Sequence, residues 1–126
     1  MQDFPAAPDS VARYFDSMAA HDWTTFRSCL TDDFTRVGPY EDHTFPDPDA
    51  YVGFLATSLP ALESQQVDVT RVNRDGDTVH VEVTESVVLP GGTPSTVRVS
   101  GTFELAADGR IRFVEVFVRR PRPEAQ

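Results

Sequence analysis

Few residues in this chain pair a reactive group with a position that could use it, and Glu85 leads them. From Thr78 to Leu89 the residues alternate in character. Val79, Val81, Val83, Val87 and Leu89 share one face of a strand, and His80, Glu82, Thr84 and Ser86 share the other. Glu85 falls in phase with the valines. A carboxylate held on an apolar face loses water and its pKa rises, which suits general acid–base work. Three arrangements fit: a proton carrier in a cavity, a β-bulge that turns the side chain outward, or a structural pair with Arg112 or a tyrosine. His43 is a second candidate proton shuttle, because histidine titrates near neutral pH and Glu41 and Asp42 precede it in a loop. The plainer reading, a solvated loop histidine, is preferred.

Other reactive types carry less. The three histidines, His21, His43 and His80, do not have metal-ligand spacing, so no metal is expected; no other cofactor is expected either. His21 falls in an interhelix turn and His80 on a polar strand face; both read as surface residues. Cys29 is the only cysteine, so no intrachain disulfide can form. On the inner side of a short helix it reads as an inert buried thiol. There is no glycine-rich phosphate loop and no Gly-x-Ser-x-Gly elbow.

The elements that must position these groups follow from pattern. Residues 1–8 form a loose lead-in. Asp9 or Ser10 is positioned to cap a first helix carrying Val11, Tyr14, Phe15 and Met18. Trp23, Phe26 and Leu30 mark a short second helix, ended by Thr31-Asp32-Asp33 before a brief strand from Phe34 to Val37. Gly38-Pro39 turns the chain into a loop over residues 40–46. Asp47-Pro48 starts a third helix with the stripe Tyr51, Phe54, Leu55 and Leu59. The period then drops to two. Val67 and Val69 begin a meander whose turns are Asn73–Asp77, Pro90–Pro94 and Ala107–Gly109, and whose later strands hold Val97, Val99, Gly101, Phe103 and Leu105, then Ile111 to Arg119. The class is α+β, with a single domain over residues 9–120 and a tail over 121–126.

The last strand is apolar on both sides. Simple alternation places Val114, Val116 and Val118 on one face with Arg112, and Ile111, Phe113 and Phe117 on the other with Glu115. Helices can cover only one of these faces. A symmetric homodimer through Phe113 and Phe117 is the expected cover for the other, with a local cluster as the alternative.

Bulk properties set the class. A chain of 126 residues fits one domain, and folding at this size buries roughly two-thirds of its surface. The net charge of −9 disfavours nucleic acid and anionic membranes, since both are held by Lys and Arg. The cluster Arg119, Arg120 and Arg122 is too small to alter that. No stretch approaches the ~20 apolar residues of a membrane span. The opening MQDFPAAPDS has neither the basic nor the apolar region of a signal peptide, so a cytoplasmic location is expected.

This order of elements, with Val11-Ala12-Arg13-Tyr14-Phe15, His21-Asp22-Trp23, Leu30-Thr31-Asp32-Asp33-Phe34, Asp49-Ala50-Tyr51 and Asp108-Gly109-Arg110-Ile111, resembles the NTF2-like superfamily. It is most similar to SnoaL-like proteins of the polyketide-cyclase and ketosteroid-isomerase kind. The resemblance spans about residues 9–120. It implies a cone-shaped α+β barrel, three N-terminal helices packed on a curved antiparallel sheet, with a pocket at the open end and frequent homodimers through the outer sheet face. It places Tyr14 where the isomerases carry an oxyanion donor, though a packed core tyrosine explains Tyr14 as well. It places Gly38 and Gly101 where they carry acids, so their proton abstraction is not available here. No equivalent of the Asp-Arg-Asp set of limonene-epoxide hydrolases stands out.

The pocket expected from these positions is lined by Trp23, Tyr40, Tyr51, Phe54, Val99, Gly101, Arg112 and Val116, around the candidate catalytic groups Glu85, His43 and Tyr14. Two functions fit. One is a cofactor-independent acid–base enzyme, an isomerase, cyclase, dehydratase or hydrolase acting on a small, mostly apolar carbonyl or hydroxyl compound. The other is a non-catalytic dimeric module binding a hydrophobic ligand or a protein partner.

Overall fold

The computed structural model describes residues 4–40 and 43–119; Glu41, Asp42, Arg120, Arg122 and the tail expected over 121–126 lie outside the described residues. The elements run α1 (Asp9–Ala19), α2 (Trp23–Ser28), β1 (Leu30–Val37), α3 (Pro48–Ser58), β2 (Ser64–Asp75), β3 (Thr78–Val88), β4 (Ser95–Leu105) and β5 (Ile111–Arg119). Strands β2 to β5 form the expected meander, in the sheet order β1-β5-β4-β3-β2. Strand β1 joins the β5 edge in parallel, so the sheet is mixed rather than wholly antiparallel. The three helices cover one face of this curved, unclosed sheet, which makes an α+β cone.

Local chemistry explains most boundaries. At α3 the Asp47 carboxylate accepts from the Ala50 N–H at 2.7 Å, and Pro48 occupies the first turn, where its missing N–H costs nothing. At α2 the Asp22 side chain caps Thr25. Two expectations are corrected. Helix α1 begins at Asp9 itself, so its cap position falls on Pro8 rather than on the expected Asp9 or Ser10, and no side-chain hydrogen bond is made there. Strand β1 begins at Leu30, not Phe34, because Leu30 pairs with Ile111 across the sheet. Tertiary pairing thus claims Thr31, Asp32 and Asp33 for the strand. Arg27 ties α2 to both neighbours through Asp32 at 3.1 Å and Asp49 at 3.0 Å.

The ladder settles which way the site residues face. Strands β3 and β4 stay in register from Thr78–Glu104 to Val87–Ser95 without a bulge. Glu85 therefore stays in phase with Val81 and Val83, and the outward-flip arrangement is excluded. On β5 the register shifts between Leu105–Ile111 and Glu104–Phe113. The extra residue is Arg112. It lets Ile111 turn inward with Val114, and Ile111 is fully buried. Plain alternation had placed Ile111 outside and Arg112 inside; the bulge reverses both.

The core lies between the helices and the inner sheet face. Val11, Phe26, Leu30, Phe34, Tyr51 and Phe103 are among its buried members. Each such large side chain contributes about 1.5–3 kcal/mol on burial.

One backbone constraint borders the cavity. Gly38 has φ +78°, and a Cβ there would sit 2.7 Å from the Val116 carbonyl oxygen. Gly53, inside α3, has nothing within 4 Å of a built Cβ. Gly38→Ala should lose about 2 kcal/mol or more of stability, from left-handed strain plus contact with an immovable backbone atom. Gly53→Ala should gain ~0.5–1 kcal/mol, as Gly-to-Ala changes in helices do. Urea unfolding of the two variants tests the contrast, and equal midpoints would refute it.

Candidate active site

The open end of the cone holds a cavity of about 360 Å³. Since a water takes about 30 Å³ of liquid, this is the capacity of roughly a dozen waters, enough for a one- or two-ring molecule. Its walls are mostly aliphatic and aromatic. Every strand contributes a wall residue: Arg36 from β1, Val67 from β2, Val81 and Glu85 from β3, Val99 from β4 and Val116 from β5.

The polar groups converge at its inner end. Tyr14 on α1 and Tyr51 on α3 are buried, and their hydroxyl oxygens lie 2.6 Å apart. Arg36 Nη1 donates to the Tyr51 oxygen at 2.8 Å, and Arg36 Nε donates to the Gly38 carbonyl at 3.2 Å. The guanidinium carbon stands 4.9 Å from the Tyr51 ring centroid, a cation–π distance. Aromatic neighbours fix both phenols. Phe26 and Phe103 flank Tyr14 at 4.7 and 5.2 Å, while Phe34 stacks on Tyr51 at 5.6 Å.

The hydrogens can be counted. Two phenols carry two O–H protons, and the bond between them uses one. Neither hydroxyl has another acceptor among the described residues. One phenolic O–H thus remains as a donor into the cavity. Burial pushes the Tyr14 phenol well above its ordinary value of 10.0, and the neighbouring Tyr51 adds to this against the pull of Arg36. Tyr14 is therefore a neutral donor at physiological pH. Burial alone would lower Arg36, but the two tyrosines outweigh it and raise it above its ordinary value, so the guanidinium stays charged.

Glu85 lines the same cavity and is half-buried. It acts electrostatically on both Tyr14 and Arg36. Among the described residues, no ion pair within 4.0 Å joins it to Arg36. A carboxylate and a donor chain therefore share one apolar space without closing on each other. His43 sits at the mouth, edge-on to Tyr40 at 5.2 Å and tilted against Phe54 at 5.3 Å.

The cavity brings together Tyr14, His43 and Glu85 with Tyr40, Tyr51, Phe54, Val99, Gly101 and Val116. Two expected wall residues lie elsewhere. Arg112, on its bulge, faces outward and pairs with Glu104 at 3.4 Å. Trp23 packs at the α2 start, stacked on His21 at 5.6 Å and edge-on to Phe26. Gly101 borders the cavity, yet the Phe103 ring would stand 3.1 Å from a Cβ there, so that ring already takes part of the space. Cys29 is buried, and burial raises its pKa, which keeps it a thiol. Among the described residues, no group of three or more His, Cys, Asp or Glu is placed to hold a metal.

Sequence reasoning missed Arg36. The signal was alternation: Arg36 lies two residues after Phe34, so both point to the core face. An arginine two places from a core phenylalanine usually reads as one whose head reaches water.

Comparison with known families decides the lineage: the model of the SnoaL-like domain matches residues 11–114. The chain belongs to the SnoaL-like domain family. Several solved structures share the fold of this SnoaL-like chain. A hypothetical protein with a ketosteroid isomerase-like fold from Catenulispora acidiphila, in complex with trimethylamine, superposes with a TM-score of 0.78 at 19% identity, over 88% of this chain and 85% of that one. An LEH-like epoxide hydrolase of M. tuberculosis gives 0.77 at 21%, over 91% and 84%. A putative polyketide cyclase from Sinorhizobium meliloti gives 0.70 at 25%, over 87% and 94%. No curated protein sequence matches this SnoaL-like chain. No helix among the described residues is long and apolar enough to cross a membrane.

The raised Tyr14 pKa has a sign that can be checked. Unfolded tyrosine ionises near 10 while folded Tyr14 keeps its proton higher, so above pH 10 the native state binds more protons than the unfolded one. Its contribution is intact below that pH and is lost as pH rises through 10 and beyond. Stability measured from pH 9 to 11 should fall more steeply for the wild type than for Tyr14→Phe. Parallel curves would contradict this.

Proposed function

We propose that this SnoaL-like protein is a cofactor-independent acid–base catalyst for a small, mostly apolar compound bearing a carbonyl or hydroxyl oxygen. One observation carries the reading: Glu85 occupies the same apolar cavity as the Tyr14–Tyr51–Arg36 donor chain. In this reading the substrate oxygen meets the spare phenolic O–H. The Glu85 carboxylate removes a proton from the carbon next to the carbonyl. The C–H electron pair becomes a C=C bond, and the negative charge that develops on oxygen is held by the phenol. The protonated Glu85 returns the proton to complete an isomerisation, or delivers it elsewhere in a cyclisation or loss of water. His43 at the mouth exchanges protons with solvent. Similarity to a putative polyketide cyclase and to an LEH-like epoxide hydrolase supports chemistry on small organic molecules at this end of the cone.

A second reading is a non-catalytic module that binds a hydrophobic ligand. It is favoured by Gly38, where a side chain is disfavoured because a Cβ would stand 2.7 Å from the Val116 oxygen. Either reading suits a homodimer through the outer sheet face, where Phe117 is 48% exposed and Phe113 is half-buried. The cytoplasm remains the expected location.

Two measurements follow. 1-Tetralone, a two-ring ketone of suitable size, should exchange its C2 protons for deuterium in D2O faster with the protein than in buffer. Glu85→Gln should lower that rate about 100-fold or more while still binding the ketone. Binding without exchange in the wild type would favour the module. Light scattering after size exclusion at micromolar concentration should give a dimer for the wild type and a monomer for Phe117→Asp. A monomeric wild type would rule the homodimer out.

A further inference from the structure

Arg36 has a directional effect on the two tyrosines that the proposed chemistry does not by itself require. The hydroxyl pair alone can be oriented either way, with Tyr14 donating to Tyr51 or the reverse. The 2.8 Å bond from Arg36 breaks that symmetry. A phenolic oxygen that already accepts a charge-assisted hydrogen bond is a poorer second acceptor and a stronger donor. Tyr51 therefore donates to Tyr14. The Tyr14 oxygen is then occupied as an acceptor, and its own O–H is the one left over. Arg36 cannot reverse its role, because a guanidinium has five N–H donors, no acceptor, and no accessible neutral form. Only two of those donors, on Nε and Nη1, have protein acceptors among the described residues. The inner end of the cavity thus offers donors and almost no acceptors.

We propose that Arg36 is a positioning residue that sets ligand specificity: by polarising Tyr51 towards Tyr14 it makes the inner end of the cavity a donor-only site, which takes a carbonyl, ether or enolate oxygen and rejects a hydroxyl that must donate. This rests on the cavity being a small-molecule site, as proposed above, but the alignment exists without any ligand. A ketone oxygen placed there accepts from Tyr14 and leaves nothing unmatched. An alcohol in the same place has its O–H facing donors, and a buried donor without an acceptor is costly.

A matched pair of ligands reads the specificity, and proton NMR reads the alignment. The wild type should bind 1-tetralone at least 10-fold more tightly than 1-tetralol. Arg36→Met, which keeps much of the side-chain length but no charge, should bring the two affinities within about 3-fold. Arg36→Lys should restore part of the preference. In the ligand-free protein the low-field hydroxyl protons of the tyrosine pair, assigned by their loss in Tyr14→Phe and Tyr51→Phe, should move upfield in Arg36→Met and return towards the wild-type position in Arg36→Lys. If Arg36→Met folds, as judged by its amide spectrum, yet keeps both the ketone preference and the hydroxyl shifts, the proposal is overturned. A wild type that binds ketone and alcohol equally also overturns it. Failure of both ligands to bind, with the hydroxyl shifts moving as expected, would uphold the alignment and strike down the small-molecule reading of the cavity instead. If Arg36→Met does not fold, Arg36→Gln, which keeps a donor but removes the charge, is read in the same way.

Discussion

A guanidinium cannot shed its proton under ordinary conditions, so whatever surrounds Arg36 must accommodate a permanent charge. Left alone in an apolar interior, that charge would be prohibitive. Three features offset it: the Tyr51 oxygen, the Gly38 carbonyl and the face of the Tyr51 ring. Two of them belong to Tyr51 and the third to Gly38. Arg36 sits on β1, Tyr51 on α3, and Gly38 in the turn that leaves β1. Satisfying one side chain thus fixes how α3 packs on the sheet edge. It also fixes where the chain turns as it leaves the cone wall. The cation further determines which protons in the cavity are free, through its bond to Tyr51.

The sheet constrains the opposite wall. An unbroken β3–β4 ladder holds Glu85 inward among valines, while the bulge on β5 turns Arg112 outward. Arg112 lies beside Glu104 and Glu85 beside Val97, seven positions apart along β4, so Arg112 is out of reach of Glu85 on either face. The bulge pairs Arg112 with Glu104 on the outside. Glu85 keeps no direct ion pair among the described residues, and it feels Arg36 only across the cavity. A carboxylate in this condition is available to a ligand in a way that a salt-bridged one is not.

Much of this was legible in the sequence. Asp47-Pro48 announced α3 because cap chemistry is local, and the phase of Glu85 could be read because β3 runs without interruption. Where strands are regular, expected wall residues such as Val99 and Val116 line the cavity. Expectation fails where long-range pairing decides. Nothing within five residues of Ile111 announces a bulge, since the bulge is a relation between β4 and β5. The start of β1 at Leu30 likewise depends on Ile111, some eighty residues away. Trp23 was placed in the cavity on aromatic character alone, and helix packing turned it to the core edge. Arg36 was passed over for a different reason. Its face could be read from Phe34, but an arginine on a core face is ordinarily one whose head escapes to water. Only the arrival of Tyr51 from a separate helix shows that this one stays inside.

The two halves of the site differ in hydration, and that difference matters for any proton transfer. Tyr14 and Tyr51 are almost wholly buried, whereas Glu85 is half-buried and Tyr40 at the mouth is open to solvent. Donors gain strength from low dielectric and need no contact with water, since they return to the same state after each cycle. A base is different. If the proton it takes is not returned to the same molecule, it must be lost before the next encounter, and that requires a path to water. Deep donors with a base nearer the mouth meet both needs, whereas the reverse arrangement would weaken the donors and trap the proton. Under the proposed function the same logic would orient a ligand with its oxygen innermost, its acidic carbon towards the sheet at Glu85, and its apolar remainder along the valine wall to the mouth.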